Sequence, residues 1–399
     1  MTAQHHKRGD GTVSVDFQGI SPAALATKTI AGAAFGRPRP PGSVIDAAVH
    51  PRPELGELKP YLPELWRGRR MPFGERYYYP NPVGDYLKDS FPEHGPPGSD
   101  PELMSRHLFD DMGIDAAILL PLTLGLLPDL DLRASICAAT NQWLADKWLT
   151  RHNPHGRYKG SIRVSPADPS TAVAEIEKWA GHPHFVQVAV PMQSNQLYGD
   201  RLFFPVWEAA AHHGLPVAFH TDAETGVEAA PTPGGFFRHF LAYSVYQPST
   251  FFNHLINMMA AGVLDRLPSL KLVFADGGWD TCAPFMWRLD KDYRPMRGDM
   301  PWMKRLPSDY IADHVRFVAH SLEGPEDPGQ MQEWLDISGA SDMLMFGSNY
   351  PGWNMLHPNA AFAEAAPSTR SSILSGTAAA LYGLPAGQVS HHPISEVAR

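Results

Sequence analysis

The sequence predicts an α/β protein of the TIM-barrel class, (β/α)8, on three observations. Eight short apolar runs recur along residues 44–348, each brief enough to be a buried parallel strand. Amphipathic stretches with helical spacing fill the intervals between them. No G-x-G-x-x-G follows an early run and no P-loop is present, which disfavours the nucleotide-binding open sheet that shares this alternation.

The runs begin at Val44 (VIDAAV), Asp115 (DAAILLPL), Gly160 (GSIRV), Phe185 (FVQVAV), Leu215 (LPVAFH), Lys271 (KLVFA), Val315 (VRFVAH) and Asp342 (DMLMFG). Most are followed by Gly, Pro, Ser or Asp, residues that turn a strand toward a helix. Ala172, Val173, Ile176, Trp179 and Ala180 form one helical face after the turn at Pro166 and Pro169. Phe203, Val206, Trp207, Ala210 and Ala211 form another before Gly214, and a third helix is expected from about 251 to 261, ending at Gly262. Two connections are too long for simple turns: 51 to about 104, with the aromatic stretch Arg76-Tyr77-Tyr78-Tyr79-Pro80, and 221 to about 250. They follow strands one and five, so in a barrel they lie at the C-terminal mouth as lid loops.

Composition narrows the function. With 42 acidic and 33 basic residues the net charge is −9, which disfavours nucleic-acid and anionic-membrane binding. Cys137 and Cys282 are too few for a disulfide framework or a cysteine zinc site. No apolar run approaches the ~18 residues of a membrane helix. Residues 1–42 read as a flexible arm ending in Arg37-Pro38-Arg39-Pro40-Pro41-Gly42, 43–385 as the barrel, and 386–399 as a loose tail. The arm lacks the apolar core of a secretory signal, and Asp10 and Asp16 argue against a transit peptide, so a cytoplasmic location is expected. A small-molecule substrate is the expected partner.

Polar residues at the C-terminal ends of barrel strands point into the site. They are Asp46 and His50 on strand one, Arg163 on three, His220 followed by Asp222 on five, Asp276 on six, His320 on seven, and Ser348 and Asn349 on eight; Gln187 sits inside strand four. His182, His184, His212 and His213 occupy surface turns or a helix end, and packing is the default for His254 in its helix.

On these residues the chain resembles a known family. Val44 through His50 is similar to the opening strand of the amidohydrolase superfamily, and Leu215 through His220 to its fifth. Lys271 through Asp290 and Met343 through Pro351 resemble the sixth- and eighth-strand segments of its "amidohydrolase 2" branch, which contains aminocarboxymuconate-semialdehyde and γ-resorcylate decarboxylases. The resemblance implies a hydrolase or decarboxylase (a lyase) acting on a carbonyl- or carboxylate-bearing, aromatic or conjugated substrate. It also implies a homodimer and one divalent metal, zinc or manganese, that polarises a carbonyl or activates water.

By that resemblance His50, His220 and Asp276 are the metal candidates. His50, His220, Asp276, His320 and Asn349 are the catalytic set, and Arg163, Trp279, Tyr350 and Trp353 the substrate-binding set. The chain departs from the family pattern at four positions: Asp276 stands where the branch has histidine or glutamate, Gly352 where it often has histidine, and two ligands are lost. Ala48 holds the first place of the strand-one pair and has no donor atom, and Asn349 replaces the eighth-strand aspartate, so it cannot be an anionic ligand or a base. Three readings follow. One is a metal enzyme with an altered ligand shell. A second is a metal-free lyase, isomerase or cyclase of specialised biosynthesis, using His50 and His220 as acid and base. The third is a non-catalytic barrel.

Overall fold

The computed structural model describes residues 3–7, 13–17, 35, 40–54, 56–68, 86–122, 127–221, 237, 239–275, 277–319, 322–325, 327–363 and 365–385. Eight parallel strands form the barrel: β1 (Ile45–Val49), β2 (Ala116–Leu119), β3 (Tyr158–Arg163), β4 (Phe185–Pro191), β5 (Val217–His220), β6 (Leu272–Phe274), β7 (Val315–Ala319) and β8 (Leu344–Phe346). Each pairs with the next in sequence order. Closure comes at the β8–β1 seam, where Asn349 N–H donates to the Ala48 carbonyl (3.1 Å) and His50 N–H to that of Tyr350 (2.8 Å). Each of the eight predicted apolar runs carries one strand. Gly347 has a steric reason: a Cβ there would stand 2.4 Å from Val318 Cγ1 and 2.9 Å from Ala48 Cβ, so only glycine lets β7, β8 and β1 converge.

Strand alternation sorts side chains into two layers. Ile45, Ile118, Ala189, Ala218, Val273, Val318 and Met345 fill the barrel interior. Val49, Leu119, Val188, Phe219, Phe274, Phe317 and Phe346 face outward into the larger core beneath the helices. The main helices there are α1 (Leu130–Trp143), α2 (Pro169–Trp179), α3 (Phe204–His212), α5 (Ser249–Ala260), α6 (Trp279–Met296), α7 (Pro307–His314) and α8 (Pro328–Ser338), with α4 (Phe240–Tyr246) in the connection after β5. Some of the chain's 39 prolines stand at helix starts. Pro169 and Pro328 follow the N-caps Asp168 and Asp327, whose carboxylates accept the Thr171 and Gln330 N–H groups. The missing proline N–H costs nothing at that position.

The last helix, α9 (Thr377–Tyr382), sets Ala378 and Ala379 against the interior cluster. Tyr382 OH donates to Gln187 Oε1 (2.8 Å), Gln187 Nε2 to Ser161 Oγ (2.8 Å), and Ser161 OH to the Leu119 carbonyl (2.8 Å). Gln187 is therefore a structural member of the interior, below the strand ends.

His254 packs as its position predicts, yet through hydrogen bonds as well as contact. Its Nε2–H donates to the Met192 carbonyl (2.7 Å), its Nδ1 accepts the Tyr198 N–H (3.2 Å), and burial holds its pKa down at about 4. Replacing His254 by leucine is expected to cost about 2–4 kcal/mol, because a buried carbonyl and a buried N–H lose their partners. An unfolding midpoint in urea that does not move would contradict this.

Of the long connections, the aromatic stretch 76–80 lies outside the described residues, as do Asp222 and the rest of 222–236. Within the N-terminal arm, Ala3–Lys7 and Val13–Phe17 pair as antiparallel strands, which the sequence reading did not foresee. Phe35 stacks on His107 with ring centroids 3.9 Å apart. The tail 386–399 lies outside the described residues. Among the described residues, no helix is long and apolar enough to cross a membrane.

Candidate active site

β1 does not run straight to its end. Its register against β2 shifts between Asp46 and Val49, and this irregularity leads to His50. His50 Nδ1 lies 3.0 Å from the Leu120 carbonyl, which fixes a proton on that nitrogen, and Nε2 lies 2.9 Å from Asn349 Oδ1. His220 closes β5 with its own anchor, Nδ1 2.6 Å from the Thr221 carbonyl. That contact leaves Nε2 as the nitrogen available for chemistry. The two rings face each other with centroids 4.7 Å apart at 55°, and both residues are buried.

Asn349 reaches His50 from an unusual backbone. Its φ is +59°, in the left-handed region that asparagine tolerates better than most residues. The turn is held by Gly352 N–H on the Asn349 carbonyl (2.7 Å), and Asn349 Nδ2 donates to Asn354 Oδ1 (2.7 Å). A carboxamide can accept from a protonated His50 through oxygen or donate to a neutral one through nitrogen. Here Asn349 Oδ1 faces His50 Nε2 while Asn354 holds Nδ2, so the amide is set to accept from that ring nitrogen.

Asp46 ties the seam together. Its Oδ1 accepts the Ala48 and Ser348 N–H groups (3.1 and 2.9 Å), and it is fully buried. Burial, only partly offset by those hydrogen bonds, pushes its pKa up to about 7. Such a carboxyl holds its proton more tightly in the folded than in the unfolded chain. Its contribution to stability is therefore full below the unfolded value and is lost as pH rises to about 7. Asp46→Asn removes that loss, so the variant is expected to gain on the parent by about 2–3 kcal/mol between pH 5 and pH 8. Urea unfolding at the two pH values checks this, and a pH-independent difference would exclude it.

Arg163, the last residue of β3, is fully buried. It shares strand parity with Ser161, which bonds to its interior-facing neighbour Gln187 on β4, so alternation places it on the interior face above that layer. Asn141 of α1 clasps its backbone, accepting the Arg163 N–H at 2.7 Å and donating to its carbonyl at 2.9 Å. β3 and β5 flank β4, so Arg163 and His220 stand two strands apart, roughly 10 Å at ordinary strand spacing.

The structure thus brings His50, His220 and Asn349 together, with Arg163 two strands away. Trp279 is buried in the outer core, its indole N–H on Glu323 Oε2 (3.1 Å). Tyr350 is in the same layer, its hydroxyl 3.1 Å from His107 Nδ1. Trp353 is half-buried beyond the Tyr350–Pro351 turn. Asp276 and His320 lie outside the described residues. Gln193, two residues past the end of β4 and next to Met192, whose N–H bonds to the His220 carbonyl, is a buried polar residue absent from the sequence-predicted set. Its alternation with Gln187, Ala189 and Pro191 was the available signal. Asn141 carried no comparable signal.

Comparison with known proteins agrees with this architecture. Residues 45–384 match the model of an amidohydrolase family. The fold is similar to that of an amidohydrolase from Mycobacterium avium subsp. paratuberculosis K-10 (22% identity, 87% of this chain and 99% of that one, TM-score 0.65). It is similar also to 5-carboxyvanillate decarboxylase from Sphingomonas paucimobilis (20%, 86% and 99%, 0.61). A third similar structure is dihydroxybenzoic acid decarboxylase from Polaromonas sp. JS666 with bound manganese and 2-nitroresorcinol (18%, 86% and 97%, 0.59). No match is found among curated proteins. With the family model spanning the whole barrel from β1 to α9, the chain belongs to the amidohydrolase family and is an enzyme of that superfamily.

Proposed function

We propose that this enzyme is a decarboxylase of a small aromatic or conjugated carboxylate. The observation that carries the reading is the His50–His220 pair, each ring anchored through Nδ1 on a backbone carbonyl, with the buried Arg163 cation two strands away. The decarboxylase neighbours support it by fold and by what their own names state.

The family implies a divalent ion, and the described residues meet that need only in part. His50 and His220 have the carbonyl-anchored Nδ1 that orients an imidazole ligand. Ala48 offers a methyl, and the Asn349 amide is already engaged by His50 and Asn354. Among the described residues no three His, Cys, Asp or Glu side chains converge, whereas a mononuclear site takes about three protein ligands. The described donor set does not complete a site, and the steps below involve side chains alone.

Arg163 pairs with the substrate carboxylate. His220, protonated on Nε2, delivers that proton to the carbon bearing the carboxylate. The carbon–carboxylate bond breaks, its electron pair returns to the ring, and carbon dioxide leaves with hydrogen in its place. His220 recovers its proton from solvent, and His50 faces it as the second imidazole, its Nε2 held against Asn349 Oδ1. Hydrolysis is less well served, because Asn349 stands where the resemblance implies an aspartate able to act as base for water. The same histidine pair suits a lyase or isomerase step without loss of carbon dioxide, which product analysis separates. Cytoplasmic location and a homodimer belong to this reading, and light scattering tests the second.

The test is incubation with benzoate and hydroxybenzoate panels, with manganese, zinc or chelator, scored for carbon dioxide and the shortened product, alongside the metal content of the purified protein. Decarboxylation of at least one member is expected. A product that retains the carboxyl carbon would support the isomerase reading instead.

A further inference from the structure

We infer that Gln193 is a specificity-determining residue that accepts a hydrogen bond from a hydroxyl or amine on the substrate ring. The inference deepens the proposed function and rests on its location of the substrate, though not on its bond-breaking step.

Gln193 is 93% buried, leaving 7% exposed, and its Oε1 has no hydrogen-bond partner among the described residues. A buried acceptor left unpaired is costly, and folded proteins nearly always satisfy such groups or keep them for a ligand. Relaxation of a loose loop would be the ordinary remedy, and here the chain on either side of the 193–197 segment is held by buried bonds. Met192 N–H donates to the His220 carbonyl (2.8 Å), and the Met192 carbonyl accepts from His254. Tyr198 OH donates to the Pro191 carbonyl (2.6 Å), Trp207 Nε1–H to that of Tyr198 (2.9 Å), and Gly199 N–H to Asn257 Oδ1 (2.7 Å). These bonds fix the backbone that leads into and out of the segment carrying Gln193.

The same bonds fix where the acceptor stands. Pro191 pairs in register with His220, and Gln193 follows it by two residues, on the parity of the interior-facing Ala189. Ala189 itself pairs with Arg163. Arg163, His220 and Gln193 therefore follow one another toward the barrel mouth along β3, β4 and β5. A ring whose carboxylate meets Arg163 and whose reacting carbon meets His220 extends toward Gln193. The group that satisfies its oxygen is a donor on the ring.

The test is equilibrium binding by calorimetry of benzoate and the three hydroxybenzoate isomers to the full-length protein and to Gln193→Met, a near-isosteric change without polar atoms. At least one hydroxybenzoate is expected to bind the parent about 10²-fold more tightly than benzoate. Gln193→Met should abolish that gain while leaving benzoate affinity within about threefold. Equal weakening of both ligands would make Gln193 a packing residue and overturn the inference, as would a parent that shows no preference for any hydroxylated isomer. The parent's own preference is decisive should the variant fail to fold. Because binding is read without turnover, failure of decarboxylation leaves this result interpretable.

Discussion

His220→Ala is expected to lower kcat/KM for decarboxylation by about 10³-fold or more, with the fold retained. General acid catalysis by a positioned side chain supplies about 10²–10⁴-fold, and in this site the proton carrier is held by its bond to the Thr221 carbonyl. That anchor joins neighbouring residues at the end of β5, so removing the ring frees a single carbonyl. Stability should fall by no more than about 1–2 kcal/mol. His50 faces the same space from β1, but its Nε2 is engaged by Asn349, so it is not expected to substitute. Single-turnover rates on the parent and the variant, with circular dichroism to verify folding, give the answer. Activity within tenfold of the parent would remove His220 from the chemistry.

Arg163→Met should be nearly as damaging, but through affinity. A charge-assisted pair in a buried site is worth about 2–5 kcal/mol when one partner is deleted, so kcat/KM should fall about 10²–10³-fold. Lysine is expected to restore little, because its ammonium lacks the planar fork that meets both carboxylate oxygens. A structural role for Arg163 would weaken all ligands alike. The account instead predicts that the variant loses benzoate and keeps the neutral benzamide. Calorimetry with the two ligands distinguishes these outcomes, and parallel loss of both would assign Arg163 to packing.

Much of the frame was legible because buried parallel strands must be nearly continuous in apolar residues, and β1 to β8 are. The helix starts were readable where proline marks the strand-to-helix turn, as at Pro169. His50 and His220 were legible because barrel chemistry collects at strand ends. What the sequence could not show is how those rings are oriented. The Leu120 and Thr221 carbonyls that set their tautomers are backbone atoms, and backbone atoms leave no mark in residue identity. The clasp of Asn141 on Arg163 spans 22 residues, and that of Asp46 on Ser348 spans 302. Asp46 reads as an ordinary strand acid until its burial is known, and only then does its pKa rise. Trp279 and Tyr350 illustrate the opposite limit: aromatic residues near strand ends read alike whether they face substrate or, as their bonds to Glu323 and His107 show, take part in packing. Ala48 and Asn349 stood out against the family pattern, but the pairing of Asn349 with both His50 and Asn354 became visible only in three dimensions.

The most direct test of the account is to run the reaction in deuterium oxide and locate the label in the product by proton NMR and mass spectrometry. Proton delivery from His220, which exchanges with solvent, predicts carbon dioxide and one deuterium on the ring carbon that carried the carboxylate. Carbon dioxide released without deuterium at that carbon would contradict the account, as would hydroxybenzoates returned unchanged with manganese or zinc present.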